Sequence, residues 1–92
     1  MDPAAVELFK QNVHKLQIGD TVEHVSTTLG PPDADVTVNK DEKVQIFTYY
    51  VTRQKPDIPL ESDQKVLIGI DRHNKVKAIY SNVNGIESKN SP

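Results

Sequence analysis

The side chains that could carry out acid–base or metal chemistry are scattered along this 92-residue chain. The histidines His14, His24 and His73 fall on two predicted helices and in one predicted turn, so we do not expect them to converge. His24 follows Glu23 on a short helix, but no second ligand stands four residues further on, where a helical metal site would need one. A surface histidine is therefore favoured over a metal ligand, and we predict neither a metal site nor a cofactor.

Two other groups of residues have suitable types for catalysis but lack the setting. Residues 71–73 read Asp-Arg-His, yet a solvated hairpin tip is favoured there because catalytic groups need burial or neighbours that tune their pKa values. The hydroxyl groups of residues 26–28 have no adjacent base and no Gly-x-Ser-x-Gly setting. The four glycines stand apart, so no glycine-rich loop could hold a phosphate. We predict that the protein is not an enzyme.

The composition is typical of one globular domain. The chain is 36% hydrophobic and 26% charged, which separates it from disordered proteins. Its net charge of -2 gives no electrostatic attraction to nucleic acid. The absence of cysteine removes disulfides and thiolate metal sites. No apolar run could span a bilayer and the first residues lack a signal-peptide pattern, so we expect a soluble chain.

Two short helices are predicted in the first third of the chain. Asp2 suits the start of a helix over residues 3–14, in which apolar residues recur at spacings of three and four. Asp20 or Thr21 caps a second helix over residues 21–29. A glycine and two prolines then prevent its continuation.

The rest of the chain shows the alternation that is typical of strands. Four strands are predicted, over residues 35–39, 44–53, 64–71 and 75–82. A long, proline-containing loop is expected over residues 54–63, and residues 83–92 are expected to form a flexible tail. The fold class is therefore α+β, in the order ααββββ, as a single domain over residues 1–82. Both helices should pack on one face of a three- to four-stranded antiparallel sheet.

The strand over residues 44–53 is apolar on both sides, so its orientation is open. One side holds Ile46 and Tyr50. The other side holds Phe47, Tyr49, Val51 and Arg53. If the first side faces the helices, the second forms an exposed aromatic and aliphatic row that ends in arginine, a composition typical of an interface. In the equally weighted alternative, Phe47 and Tyr49 belong to the core.

The last two strands have clearer patterns. In the third strand, the core side is predicted to hold Val66, Ile68 and Ile70. In the fourth strand, regular alternation places Val76, Ala78 and Tyr80 on one side and Ile79 on the other.

The segment IGDTVEHVSTTLGPPD, residues 18–33, resembles the helix-turn signature of the SmpA/OmlA family, the BamE-like outer-membrane assembly lipoproteins. Its matching positions are Gly19, Thr21, Val25, Leu29, Gly30 and Pro32. The segments FTYYVTRQKP and DQKVLIGIDRHNKVKAI look like the family's aromatic strand, its Arg-Gln-x-Pro loop and its final hairpin. The resemblance covers residues 18–82.

This resemblance implies a non-catalytic, lipid-anchored accessory subunit at the periplasmic face of the outer membrane. Such a subunit stabilises the machinery that inserts β-barrel proteins, by binding other subunits and, as a further ligand, anionic phospholipid. The family's contact positions on the aromatic strand correspond to Tyr49 and Arg53. The partner- or lipid-binding residues expected here are thus Phe47, Tyr49, Val51 and Arg53.

Two other hypotheses remain open. The first is a soluble protein inhibitor or ligand-binding module that uses the same surface, and the second is a small hydrolase. An upstream signal peptide ending in a lipidated cysteine would favour the envelope protein over the inhibitor. The partner's identity and the oligomeric state are left undetermined.

Overall fold

The computed structural model describes residues 1–53, 55, 58 and 60–90. Its elements are α1 (Pro3–His14), α2 (Val22–Leu29), β1 (Ala34–Asn39), β2 (Val44–Tyr50), β3 (Lys65–Ile70), β4 (Val76–Ser81) and β5 (Lys89–Asn90). The strands form one antiparallel sheet in the order β1-β2-β3-β4-β5. The α+β class is confirmed, but the sheet has five strands where three or four were predicted.

Both helices begin at the caps that the sequence suggests. The Asp2 carboxylate accepts a hydrogen bond from the Ala5 N–H at 2.8 Å, and Pro3 occupies the first turn of α1. Thr21, the second of the two predicted candidates, caps α2 by accepting from the His24 N–H at 3.2 Å. Gly30 ends α2 with a φ of 80°, a conformation that glycine adopts without a steric penalty.

The connection between the helices is hydrogen-bonded to the turn between β3 and β4. Gly19 donates to the Val76 carbonyl and Val76 donates back to the Asp20 carbonyl, both at 2.8 Å. Val22 donates to the Asn74 carbonyl at 2.9 Å. The Asp20 carboxylate accepts a hydrogen bond from the Gln17 backbone N–H and so does not cap α2. These bonds fix the start of α2 beside the sheet.

One face of the sheet, called the inner face here, carries the core. Val66, Ile68 and Ile70 are fully buried on it, as predicted. The helices contribute Phe9, Val13 and Val25 to the same cluster, and the connection between them contributes Leu16. Burial of this cluster is the main favourable contribution to folding, since each large apolar side chain contributes roughly 1.5–3 kcal/mol when removed from water. The opposite side of the sheet is called the outer face.

A β-bulge changes which side chains of β4 face the core. The register between β3 and β4 shifts between Gly69 and Ile70, which leaves Lys77 as an extra residue between Val76 and Ala78. Val76 and Ile79 are consequently both buried. They are three positions apart, so regular alternation would have placed them on opposite faces. The prediction that Val76, Ala78 and Tyr80 share one face is wrong for this reason.

The C-terminal segment belongs to the fold. Val83 and Ile86 are each 6% exposed, and β5 pairs with β4. The Gly85 carbonyl lies 2.9 Å from the His14 ring, and the Lys89 ammonium donates to the Leu16 carbonyl at 3.4 Å. The predicted flexible tail is thus wrong for residues 83–90, while residues 91 and 92 lie outside the described residues.

The predicted loop over residues 54–63 is described only in part. Gln54, Pro56, Asp57 and Pro59 lie outside the described residues. At the end of the loop, Asp63 is fully buried and its carboxylate accepts from the Leu60 N–H at 3.1 Å. The Asn82 amide donates to the Asp63 carbonyl at 3.0 Å. This end of the loop is therefore fastened to the end of β4.

Candidate binding surface

Strand β2 turns its predicted binding row towards the helices. Phe47, Tyr49 and Val51 are 7%, 4% and 3% exposed. Phe47 and Tyr49 each lie opposite a fully buried residue of β3 in the antiparallel register, so they share the inner face. The ring of Phe9 on α1 packs 6.0 Å from the Tyr49 ring, centroid to centroid. The predicted exposed stripe is wrong for these three residues, and the alternative that places Phe47 and Tyr49 in the core is correct.

Tyr49 has a structural role that its burial explains. Its hydroxyl donates to the Gly30 carbonyl at 2.8 Å, which links β2 to the residue that ends α2. Burial and the negative charge of Asp33 raise the pKa of Tyr49 to about 12. The phenol therefore remains a neutral hydrogen-bond donor at every physiological pH.

Arg53 is the one predicted binding residue that lies at the surface. Its guanidinium carbon is 4.4 Å from the centroid of the Tyr50 ring, a cation–π distance. Tyr50 alternates with Tyr49 and so points to the outer face, where Lys65 lies opposite it in the register. This corner of the outer face thus combines one aromatic ring with two basic side chains.

Two apolar cross-strand rows form the centre of the outer face. The first row is Val36, Ile46, Gly69 and Ala78, and the second is Ala34, Thr48, Leu67 and Tyr80. Thr48 is the single polar member, and it is only 8% exposed. Val38 and Val44 extend the apolar surface towards the β1–β2 turn. We call these ten residues the outer apolar face.

The outer apolar face is partly accessible to solvent: three of its ten residues are exposed, six are half-buried and Thr48 is buried. Val36, Val38 and Tyr80 are 54%, 60% and 51% exposed. The helices pack on the inner face, so neither covers these side chains. Isolated apolar residues are common on protein surfaces, but a contiguous exposed patch across several strands is typical of an interaction site.

A shallow depression of about 290 Å³ lies within this face. Gly69 lies at the bottom of the depression, where it has no side chain to fill the space. A Cβ atom there would be 3.7 Å from the Ala78 Cβ and 3.5 Å from the Lys77 Cγ. The walls include Ile46, Leu67 and Tyr80. Small-molecule sites usually enclose most of their ligand, whereas this depression is open, so it suits side chains from a macromolecular surface.

The three histidines occupy separate elements. His14 lies beside the Gly85 carbonyl, and the His24 ring is 3.7 Å from the Asp20 carboxylate. His73 lies in the β3–β4 turn, where its ring nitrogen accepts from Arg72 at 3.4 Å. Within residues 1–53, 55, 58 and 60–90, no group of three or more histidine, aspartate or glutamate side chains could hold a metal ion.

The Asp-Arg-His turn is organised by the Asp71 carboxylate. It accepts from the backbone N–H groups of His73 at 2.8 Å and Lys75 at 3.2 Å. Slight desolvation raises the pKa of Asp71, but these hydrogen bonds and the two neighbouring positive charges outweigh it and lower the pKa below its usual value. Asn74 adopts a φ of 61°, as the turn requires. The carboxylate shapes the hairpin tip, which agrees with the structural interpretation of this motif.

Several residues of the outer apolar face were not predicted as binding residues. Alternation along β3 places Leu67 opposite the predicted core residues, but alternation does not show whether another element covers that side. Tyr80 was assigned to the face of Val76 because a bulge cannot be recognised from alternation alone. An unusually apolar second side on both β2 and β3 is the signal that could have indicated this surface.

No helix of the described part of the chain is long and apolar enough to cross a membrane. Comparisons with protein families, curated proteins and solved structures found no match. The functional argument therefore depends on the outer apolar face and on the residues around it.

Proposed function

We propose that this protein is a non-catalytic binding module of the cell envelope and that the outer apolar face binds a protein partner. The observation that carries the proposal is that neither helix covers the two apolar cross-strand rows, because both helices occupy the other side of the sheet. Leaving such a surface in water costs free energy that a partner's apolar surface would recover.

The resemblance of residues 18–82 to the SmpA/OmlA family supports an envelope role. On this proposal the partner is another subunit of the machinery that inserts β-barrel proteins into the outer membrane. The proposed contact surface differs from the row expected on the aromatic strand. Tyr49 belongs to the core, so the outer apolar face is proposed as the contact surface instead. Arg53 remains part of the proposed surface, next to Tyr50 and Lys65.

The chemistry of the surface specifies the partner. Its centre is aliphatic, around Ile46 and Leu67, and Tyr80 supplies an exposed ring of the type that often dominates binding energy. Lys65, beside Tyr50 at the corner of the face, would pair with a carboxylate. We therefore expect an apolar partner surface with an acidic residue at one end.

An anionic membrane is a poorer fit than a protein. A juxtamembrane basic residue contributes about 1 kcal/mol of attraction to an anionic surface. The chain as a whole has 13 acidic and 11 basic residues, so its net charge opposes this attraction.

Site-specific photo-crosslinking in envelope preparations tests the proposal. A benzophenone amino acid is placed at Tyr80 or at Leu67, and in the control at Leu8, which is 58% exposed on α1. We expect the same single envelope protein to be crosslinked from both outer-face positions and not from Leu8. A second substitution, Lys65→Glu, should weaken this crosslink at least several-fold, while Leu8→Glu should leave it unchanged.

Each other outcome would contradict the proposal in a distinct way. Equal crosslinking from Leu8 and Tyr80 would exclude the outer apolar face as the specific surface. Co-flotation with vesicles containing anionic phospholipid, without a protein crosslink, would make lipid the ligand. A crosslinked enzyme from a soluble fraction, with no envelope partner, would instead favour the inhibitor hypothesis.

A further inference from the structure

Strand β1 forms an open edge of the sheet. In the described part of the chain it pairs only with β2, whereas the other end of the sheet is closed over β4 by the two-residue β5. Natural proteins usually protect such an edge with charged residues, proline, a β-bulge or a covering segment, and in β1 these devices are limited to Asp35 and the bulge between Thr37 and Asn39. Ala34–Asn39 contains neither lysine nor proline, and its last five residues are exposed.

The hydrogen-bond pattern shows which backbone groups face this edge. Val51 donates to the Gln64 carbonyl, so the odd-numbered residues of β2 bond to β3 and the even-numbered ones face β1. The Asp33 N–H, which donates to the Thr48 carbonyl, agrees with this assignment. The register then directs the N–H and C=O groups of Ala34 and Val36 to β2 and those of Asp35 and Thr37 to the open edge.

We propose that β1 pairs antiparallel with β1 of a second copy of this chain, about a two-fold axis at Val36. In that register Asp35 and Thr37 exchange both backbone hydrogen bonds with Thr37 and Asp35 of the second copy. The two Val36 side chains meet on the outer face, and Ala34 lies opposite Val38. Each strand therefore satisfies the edge groups of the other.

Self-complementarity is the reason to choose a second copy as the occupant. The only charged side chain of β1, Asp35, lies opposite a threonine hydroxyl that can donate to it. A register centred on Asp35 would place two carboxylates opposite each other, which is unfavourable. A register centred on Thr37 would need Asn39 to continue the ladder, but the bulge between Thr37 and Asn39 interrupts it.

The geometry also limits the assembly to two copies. One open edge of useful length that pairs with itself gives a closed two-fold dimer, whereas two different edges would permit a chain of subunits. The dimer would join two five-stranded sheets and bring the two outer apolar faces side by side. This inference is independent of the proposed partner, because it depends on the edge of β1 and not on what binds the face.

Disulfide crosslinking measures the proposed register directly. The natural chain has no cysteine, so Val36→Cys introduces a single thiol. Directly opposed residues of a non-hydrogen-bonded antiparallel pair have Cα atoms about 4.5 Å apart, within the range of a disulfide. Val38→Cys is the matched control: Val38 is 60% exposed against 54% for Val36, but the two Val38 residues would be about four strand positions apart, or roughly 13 Å.

We expect Val36→Cys to form a disulfide-linked dimer under mild oxidation at least tenfold faster than Val38→Cys. Sedimentation of the natural chain at rising concentration should show a monomer–dimer equilibrium. Thr37→Asp should shift this equilibrium towards monomer, because residue 37 of each copy would place a carboxylate opposite Asp35 of the other. Thr37→Lys should shift the equilibrium towards dimer, because it would place an opposite charge there. Equal crosslinking rates, or a natural chain that stays monomeric at millimolar concentration, would overturn the proposal. Circular dichroism checks that each variant is folded.

Discussion

The inner and outer faces of the sheet are built from similar residue types but have different surroundings. On β3, the inner Ile68 is fully buried, whereas its neighbour Leu67, on the outer face, is only partly buried. On β2, Tyr49 is hydrogen-bonded in the core, whereas Tyr50 lies beside an exposed arginine. Apolar composition therefore does not by itself define the core of this protein; the position of the helices does.

The largest difference between the faces should appear when one aliphatic side chain is truncated on each. We expect Ile68→Ala to lower the free energy of unfolding by about 2–5 kcal/mol, because it removes buried contacts and leaves a cavity. Leu67→Ala, one residue away on the outer face, should cost less than half as much. Urea denaturation of both variants measures this, and equal losses would contradict the assignment of the two faces.

One tyrosine on each face, Tyr49 and Tyr80, provides a smaller test of the same contrast. Tyr49→Phe removes the donor to the Gly30 carbonyl and should lower the free energy of unfolding by about 1 kcal/mol. Tyr80→Phe removes a hydroxyl from a side chain that is 51% exposed, and should change stability by less than about 0.5 kcal/mol. If thermal denaturation shows the reverse order, Tyr49 is not the bridge to α2.

Titration at high pH provides a second test of the inner tyrosine, Tyr49. The pKa of Tyr49 is raised from 10.0 to about 12 in the folded protein. Between those values the unfolded chain releases this proton and the folded protein retains it, so the free energy of unfolding should fall as pH rises. Tyr49→Phe lacks this contribution, and its difference from the natural protein should shrink over that range. A constant difference in urea unfolding would contradict the assigned pKa.

The smallest expected effect on stability is the replacement of exposed apolar residues. Tyr80→Glu and Leu8→Glu should each change the free energy of unfolding by less than about 0.5 kcal/mol, because both side chains are more than half exposed. Thermal unfolding measures this. If Tyr80→Glu is strongly destabilising, the outer face has a packing role in the monomer and is less suited to binding.

Local signals predicted the helices almost completely. Asp2 with Pro3 marks the start of α1, and Gly30 with two prolines marks the end of α2, since capping and chain stiffness act over a few residues. The same locality explains the correct prediction of a turn at residues 72–74. Alternation also predicted the positions of β1 to β4, although the predicted ends differ from the observed ones by up to three residues.

Features that depend on distant residues could not be predicted in this way. The orientation of β2 depends on where α1 packs, because both sides of the strand are apolar. The bulge at Lys77 and the short β5 depend on pairing geometry that no local pattern encodes. The same limit applies to the predicted binding residues. Arg53 lies at the surface, as that prediction requires, but Phe47, Tyr49 and Val51 are in the core.

The hydrogen bonds between the interhelical connection and the β3–β4 turn have a consequence for folding during synthesis. Residues 19–22 bond to residues 74–76, which leave the ribosome more than fifty positions later. Contacts with such long sequence separation slow folding, since a large loop must close first. The helices therefore cannot reach their final places until residues 74–76 have emerged, and the apolar strands that precede those residues stay exposed until then.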